Sequence, residues 1–112
     1  MSTLTLTLVQ SALHWLDKDA NLAMFDKKLA AMSAQPDLIL LPETFATGFA
    51  INLDCAEPEN GKVLSWLKTQ AHKHKAVIAG SVLVAQGDKK ANGFYWVTPS
   101  GEGNYYDKRH LF

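Results

Sequence analysis

The sequence contains a single cysteine, Cys55, so no disulfide can form within the chain. Because disulfides are typical of secreted proteins, a cytoplasmic location is the default expectation. The chain also lacks an excess of either charge, since eleven basic residues balance eleven acidic ones. This balance gives no electrostatic reason to expect a nucleic acid or an anionic membrane as a partner.

Long apolar runs are also absent. No run approaches the roughly 20 apolar residues that a membrane-spanning helix needs. Residues 1–8 alternate in polarity and lack the basic head and apolar block of a signal peptide. The 112 residues, of which 47% are hydrophobic and 20% are charged, suit one ordinary globular domain without repeats or low-complexity segments.

Polarity patterns in the first third of the chain predict a strand, a helix and a second strand. Alternating leucines and threonines predict a strand over residues 3–10, half-buried or facing a thinner layer on its threonine side. Asp17 or Asp19 is placed to cap the following helix, which should end before Gln35-Pro36. The apolar stripe of this helix consists of Leu22, Phe25, Leu29 and Met32. Residues 38–41 form the second strand.

A long loop and a second helix follow. Residues 44–60 lose the periodicity and contain turn-forming residues, and long loops of this kind are often functional. The helix is predicted over residues 61–74, with Asn60 as a candidate cap. Its inner stripe consists of Val63, Leu64, Leu67 and Ala71. Residues 76–85 then form a nearly continuous apolar strand, which indicates a central position in the sheet.

Two further strands are predicted over residues 92–98 and 104–107, each after a group of turn-forming residues. The alternation of strands and helices in the first part implies parallel pairing with right-handed crossovers. The turn-linked strands at the end imply an antiparallel extension. The sequence therefore predicts an α/β fold with a mixed sheet.

Glu43 is the most conspicuous candidate for chemistry. It follows four apolar residues and Pro42, which ends the strand because proline has no N–H to donate to the sheet. In open α/β sheets, functional sites are usually built at the carboxyl ends of strands. A carboxylate beside apolar neighbours also costs free energy unless it has a partner or a task. The alternative is a glutamate that only caps a helix or a turn.

Lys108 follows the fifth predicted strand much as Glu43 follows the second. If both strands neighbour the central one, the two side chains meet at one edge of the sheet. They would then supply a general base and a cation for a developing oxyanion. The alternative is a solvated lysine just past a strand end.

Three segments carry a family resemblance: residues 40–45 (LLPETF), Gly80-Ser81 and residues 106–112 (YDKRHLF). They resemble the motifs of the nitrilase superfamily of carbon–nitrogen hydrolases, and the similarity runs from the first strand to the last residue. Thr47-Gly48-Phe49, together with the last segment, is similar to the omega-amidase-like branch of predicted amidohydrolases.

The resemblance implies an αββα sandwich, usually dimeric or larger, that hydrolyses small carboxamides with a Glu-Lys-Cys triad and no cofactor. Glu43 matches the general base, which takes the thiol proton and later activates water. Lys108 matches the lysine that stabilises the tetrahedral intermediate. The cysteine attacks the amide carbonyl, ammonia leaves, and water hydrolyses the resulting thioester.

In the family, the nucleophilic cysteine and a second glutamate follow a strand beyond the lysine. Cys55 is a poor substitute, because Asp54 and Glu57 disfavour a thiolate there. We therefore expect residues 1–112 to be the amino-terminal part of a single hydrolase domain whose carboxyl-terminal half is absent, and to be inactive alone. The alternative is a non-catalytic truncated module that self-associates or pairs with another chain through its exposed sheet.

The remaining candidates are aromatic residues and histidines. Phe45 and Phe49 are placed to line a substrate pocket beside Glu43, although aromatic core packing explains them equally well. No metal site is expected, because His72 and His74 are two residues apart and point to different faces of a helix. Asn92 and Tyr95 lie on a strand near the predicted pocket and receive no role.

Overall fold

The computed structural model describes residues 3–48, 56–58, 61–86 and 89–107. These residues form two helices and six strands. In chain order the elements are β1 (Leu6–Leu8), α1 (Lys18–Ala30), β2 (Leu38–Leu40), β3 (Glu57–Pro58), α2 (Lys62–His74), β4 (Val77–Gln86), β5 (Lys89–Val97) and β6 (Gly103–Asp107). Neither helix is long and apolar enough to cross a membrane.

All six strands belong to one mixed sheet. Its order is β1-β2-β4-β5-β6, and the two-residue β3 pairs with β4 outside this path. β1, β2 and β4 are parallel neighbours, whereas β4, β5 and β6 are joined by antiparallel pairs. The predicted mixed sheet with a central strand over residues 76–85 is therefore confirmed. The predicted antiparallel pairing of the last two strands is present as β5 and β6. Of the two strands that precede Glu43 and Lys108, β2 neighbours the central β4, whereas β6 pairs with β5.

One face of the sheet is covered by both helices, and we refer to it as the helix-covered face. The core there joins side chains of α1, α2 and alternate positions of the strands. Its largest fully buried members include Phe25, Leu29, Ile39, Leu67 and Ile78. This core explains why both helices form, because each one buries an apolar stripe of the predicted helical spacing.

The opposite face carries a second apolar set, and we refer to it as the open face. Its residues are Leu6, Leu8, Leu38, Leu40, Phe94 and Trp96, which alternate in sequence with helix-covered positions. Leu8 is 67% exposed, Leu6 50% and Phe94 41%. The described part of the chain therefore leaves much of this apolar surface in contact with solvent.

The threonine side of β1 faces the helices, and Thr7 is half-buried there. Thr7 pairs with Ile39, whose side chain lies in the helix-covered core, so the threonine side is the more covered one. Leu6 and Leu8 consequently fall on the open face. Alternation alone cannot distinguish the two faces of an edge strand, because a shift of register by one residue exchanges them.

The helix ends refine the predicted boundaries. Asp17 is the N-cap of α1 and accepts a hydrogen bond from Ala20 N at 3.0 Å, which confirms one of the two predicted caps. The N-cap of α2 is Gly61, without a side-chain hydrogen bond, whereas the predicted cap Asn60 lies outside the described residues. Residues 44–60 also differ from a structureless loop, since they contain the short strand β3.

Candidate active site

Glu43 lies just beyond the carboxyl end of β2, where the chain leaves the sheet. The last sheet-like contact is the hydrogen bond from Leu41 N to Ala79 O, at 2.9 Å. Pro42 follows and has no N–H to extend the ladder. The chain then turns over residues 43–47, and Gly48 N donates to Thr44 O at 2.9 Å. The sequence thus places this carboxylate at the predicted edge of the sheet.

The peptide after Glu43 is held by the central strand. Thr44 is buried and has a φ of 46°, a value in the left-handed region that non-glycine residues seldom adopt. Its N–H donates to Ser81 Oγ at 2.7 Å, in a buried position. Because a buried N–H without a partner costs about 1–3 kcal/mol, this bond favours the bend that presents Glu43.

Gly80 and Ser81 therefore serve the same turn from neighbouring positions on β4. A Cβ atom on Gly80 would lie 2.9 Å from the ring of Phe45, which is closer than such contacts occur. The missing side chain lets Phe45 pack directly on the strand, while Ser81 bonds to the backbone of Thr44. These two contacts give a physical reason for Gly80-Ser81, one of the three segments that carry the family resemblance.

The carboxylate of Glu43 contacts β5. Asn92 Nδ2 donates to Glu43 Oε1 at 2.9 Å, across 49 positions of sequence. Asn92 is 1% exposed, and its Oδ1 has no hydrogen-bond partner among the residues that the structure describes. No role was predicted for Asn92. The available signal was the residue type itself, since asparagine is depleted in strands and needs a reason to occur there.

The turn is also fixed from the amino-terminal side of α1. Asn21 is fully buried, and its Nδ2 donates to Ala46 O and to His14 O, each at 2.7 Å. Leu16 N donates to Thr47 O at 2.7 Å. These bonds join the segment before α1 to the turn after β2. The Glu43 turn is therefore supported by α1 as well as by β4 and β5.

Phe45 lies in the core beneath the turn. It is fully buried, and its ring centroid lies 5.8 Å from Phe25 in an edge-to-face pair and 5.6 Å from Trp66. These contacts agree with the aromatic core packing considered for this residue, and its substrate-binding role stays a prediction. Phe49, Lys108 and Cys55 lie outside the described residues.

Two charged or titratable groups outside the Glu43 turn have a shifted pKa in the described part of the chain, Asp19 and His74. Lys62 Nζ lies 2.7 Å from Asp19 Oδ1, and this hydrogen-bonded ion pair lowers the pKa of Asp19. At the other end of α2, burial and then the charge of Lys73 lower the pKa of His74. Within the described ranges, no three histidine, cysteine or acidic side chains cluster as a metal site would require.

The carbon–nitrogen hydrolase family model matches residues 5–112 of the chain. The chain belongs to this family. An omega-amidase of Yersinia enterocolitica is 48% identical over 113 residues, covering 100% of the chain and 43% of the relative. An omega-amidase of Escherichia coli K12 is 39% identical over 112 residues with the same shares. These relatives confirm the predicted carbon–nitrogen hydrolase membership and the omega-amidase-like branch.

Solved structures of carbon–nitrogen hydrolases have the same fold. A CN-hydrolase superfamily protein from Xanthomonas campestris, crystallised with an arsenic adduct in its active site, matches with a TM-score of 0.94 at 40% identity. The match covers 100% of this chain and 43% of that protein. The chain thus spans less than half the length of these carbon–nitrogen hydrolases.

Proposed function

We propose that this chain supplies part of the active site of an omega-amidase-like hydrolase that deamidates small carboxamides. The observation that carries the proposal is the Glu43 carboxylate, fixed by Asn92 at the carboxyl edge of the sheet. It occurs in a chain that is 48% identical along its whole length to an omega-amidase. A fixed carboxylate at such an edge suits a general base.

In the proposed reaction Glu43 takes the proton of a cysteine thiol, and the thiolate attacks the amide carbonyl. The negative charge that develops on the carbonyl oxygen is stabilised by Lys108. The protonated Glu43 passes this proton to the amide nitrogen and ammonia leaves. The regenerated Glu43 carboxylate then activates a water molecule that hydrolyses the thioester. We assign the nucleophile to a cysteine other than Cys55, because acidic neighbours disfavour a thiolate at that position.

The strand pairing supports a location of Lys108 near Glu43. β6 ends at Asp107, whose partner on β5 is Gly93, and the next residue in the chain is Lys108. Gly93 adjoins Asn92, which bonds to Glu43. The chain therefore leaves β6 beside the residue that holds the proposed base. β6 does not pair with the central strand β4. The contact through β5 and Asn92 nevertheless supports a position of Lys108 near Glu43.

An open cleft of about 400 Å³ at the carboxyl ends of β1 and β2 provides space next to this edge. Its lining includes Gln10, Ser11 and Pro42, the residue before Glu43. We propose a small carboxamide as the substrate, with Phe49 bordering its pocket and Phe45 packed beneath the Glu43 turn. We also propose a cytoplasmic location. We also propose that residues 1–112 are the amino-terminal part of one hydrolase domain, which works as a homo-oligomer or with a carboxyl-terminal half.

A chimera tests this function. Residues 1–112 would replace the aligned segment of the Yersinia enterocolitica relative, and ammonia release from a small omega-amide would be measured. We expect hydrolysis by the chimera and none by residues 1–112 expressed alone. A folded chimera without activity would contradict the proposed function. Hydrolysis by the 112 residues alone, abolished by Glu43→Ala, would show that a further nucleophile is not needed.

A second candidate function is a non-catalytic module that binds another chain. The exposed apolar residues of the open face favour it, because surfaces of this kind promote association. We expect self-association of the 112-residue chain, measured by sedimentation velocity. Leu8→Lys combined with Trp96→Lys should weaken it by at least about tenfold, since association would bury unpaired charges. The exposed-site control Thr69→Lys should not. A monomer at high concentration would exclude this candidate.

A further inference from the structure

Asn92 is buried beside Glu43, and the family membership assigns it no role. It lies on β5 opposite Leu83 of β4, in the antiparallel pair that forms the middle of the sheet. Successive side chains of a strand point to opposite faces, so Asn92 lies on the same face as Phe94, which is the open face. Tyr95 lies on the opposite, helix-covered face. A polar side chain that is 1% exposed in such a strand needs a hydrogen-bond partner.

That partner is the candidate base. The Asn92 amide group donates through Nδ2 to Glu43 Oε1 at 2.9 Å. An ionised carboxylate only accepts hydrogen bonds, so Asn92 must present its NH₂ group and turn Oδ1 away. Oδ1 is buried without a hydrogen-bond partner among the described residues. The amide is therefore oriented by Glu43 and not by a competing contact of its oxygen within the described part.

We propose that Asn92 is a positioning residue that fixes the carboxylate of Glu43 in its productive orientation. The assignment rests on the proposed function, in which Glu43 is the general base. Asn92 acts through Glu43 by donating to its Oε1, and exchanges no proton of its own in the proposed reaction. The backbone of the same turn is held by Ser81, so β4 fixes the peptide and β5 fixes the side chain. A base held from both sides needs little rearrangement before proton transfer.

A direct test of the contact uses the 112-residue chain. The side-chain NH₂ protons of Asn92 should give a shifted NMR signal typical of a bond to a carboxylate. Glu43→Ala should move this signal back toward the position of a solvated amide, whereas the exposed control Glu102→Gln should leave it in place. An Asn92 signal that is identical with and without the Glu43 carboxylate would overturn the assignment.

A kinetic test uses the chimera described above. Asn92→Leu keeps the volume but removes the donor, and Asn92→Asp keeps the shape but replaces the donor with an acceptor. We expect kcat per folded protein to fall about 10- to 100-fold in both variants, with KM changed by less than about twofold. Gln70→Leu is the control, because it also removes a buried amide, but one that belongs to α2 and bonds to Asp26. This variant should keep kcat.

The outcomes separate the two levels of the proposal. If the chimera hydrolyses no amide with its native Glu43 and Asn92, the proposed function fails and the assignment fails with it. If the chimera is active and Asn92→Asp or a folded Asn92→Leu keeps the full kcat, the assignment alone is overturned. A loss of folded protein at unchanged kcat would likewise show that Asn92 is only structural.

Discussion

The helix-covered face and the open face of this sheet differ in their cover and not in the type of residue they carry. Ile39 on the first face is fully buried, whereas Leu8, which pairs with the next residue of β2, is 67% exposed. Successive residues of a strand point to opposite faces, so the same strands supply both surfaces. Helices α1 and α2 pack on only one of them.

This difference assigns separate tasks to the two faces. The helix-covered face contains the core that stabilises the described part of the chain. Asn92 lies on the open face and bonds to Glu43, the candidate base. We infer that substitutions on the first face change mainly stability, and that substitutions on the second change mainly activity or association.

The largest expected effect on stability is that of Phe25→Ala compared with Phe94→Ala. Phe25 is fully buried and contacts Phe45 and Trp66, so its truncation should cost about 3–5 kcal/mol. Phe94 is 41% exposed on the open face, and its truncation should cost about 1 kcal/mol or less. Urea unfolding of the 112-residue chain measures both. Equal losses would remove the distinction between the faces.

The sequence predicts those parts of the site that depend on neighbouring residues, and not those that depend on contacts between distant segments. Proline has no N–H, so Pro42 alone shows where β2 ends and that Glu43 lies at its carboxyl edge. The direction of the leucines in β1 depends instead on the register Thr7–Ile39, which no local pattern specifies. The bond between Glu43 and Asn92 joins residues 49 positions apart and depends on the order β2-β4-β5. Lys108 lies outside the described residues, and its place beside Glu43 stays a prediction.

An intermediate effect is expected at Ser81, which pairs with Phe94 of the open face and holds the turn after β2. Ser81→Ala would leave the buried N–H of Thr44 without its acceptor, which should cost about 1–3 kcal/mol. Ser65 is exposed on α2 and provides the control, since Ser65→Ala should change stability by less than about 0.5 kcal/mol. Thermal unfolding compares the two. If the two serine variants unfold at the same temperature, Ser81 does not hold the turn.

The smallest effect concerns His74, at the end of α2. Burial and the charge of Lys73 lower its pKa, so the unfolded chain binds more protons than the folded chain just below the ordinary histidine pKa. His74 therefore contributes stability above that pKa, and the contribution is lost as the pH falls through the lower folded value. We expect a shallow loss of urea resistance between about pH 7 and pH 5 that His74→Gln abolishes. An equal loss of urea resistance in the unsubstituted chain and in His74→Gln would rule out this histidine as its source. His72→Gln, at an exposed position, is the control.

The most direct test of the account is the rate of amide hydrolysis by the chimera with Glu43→Gln. The substitution keeps the size of the side chain and its ability to accept from Asn92 but removes the base. We predict a fall in kcat of about 10²- to 10⁴-fold, with an unfolding temperature close to that of the unsubstituted chimera. Glu102→Gln, in an exposed turn, should keep the full rate. A Glu43→Gln chimera that hydrolyses the amide at the unsubstituted rate would contradict the central claim that Glu43 is the catalytic base.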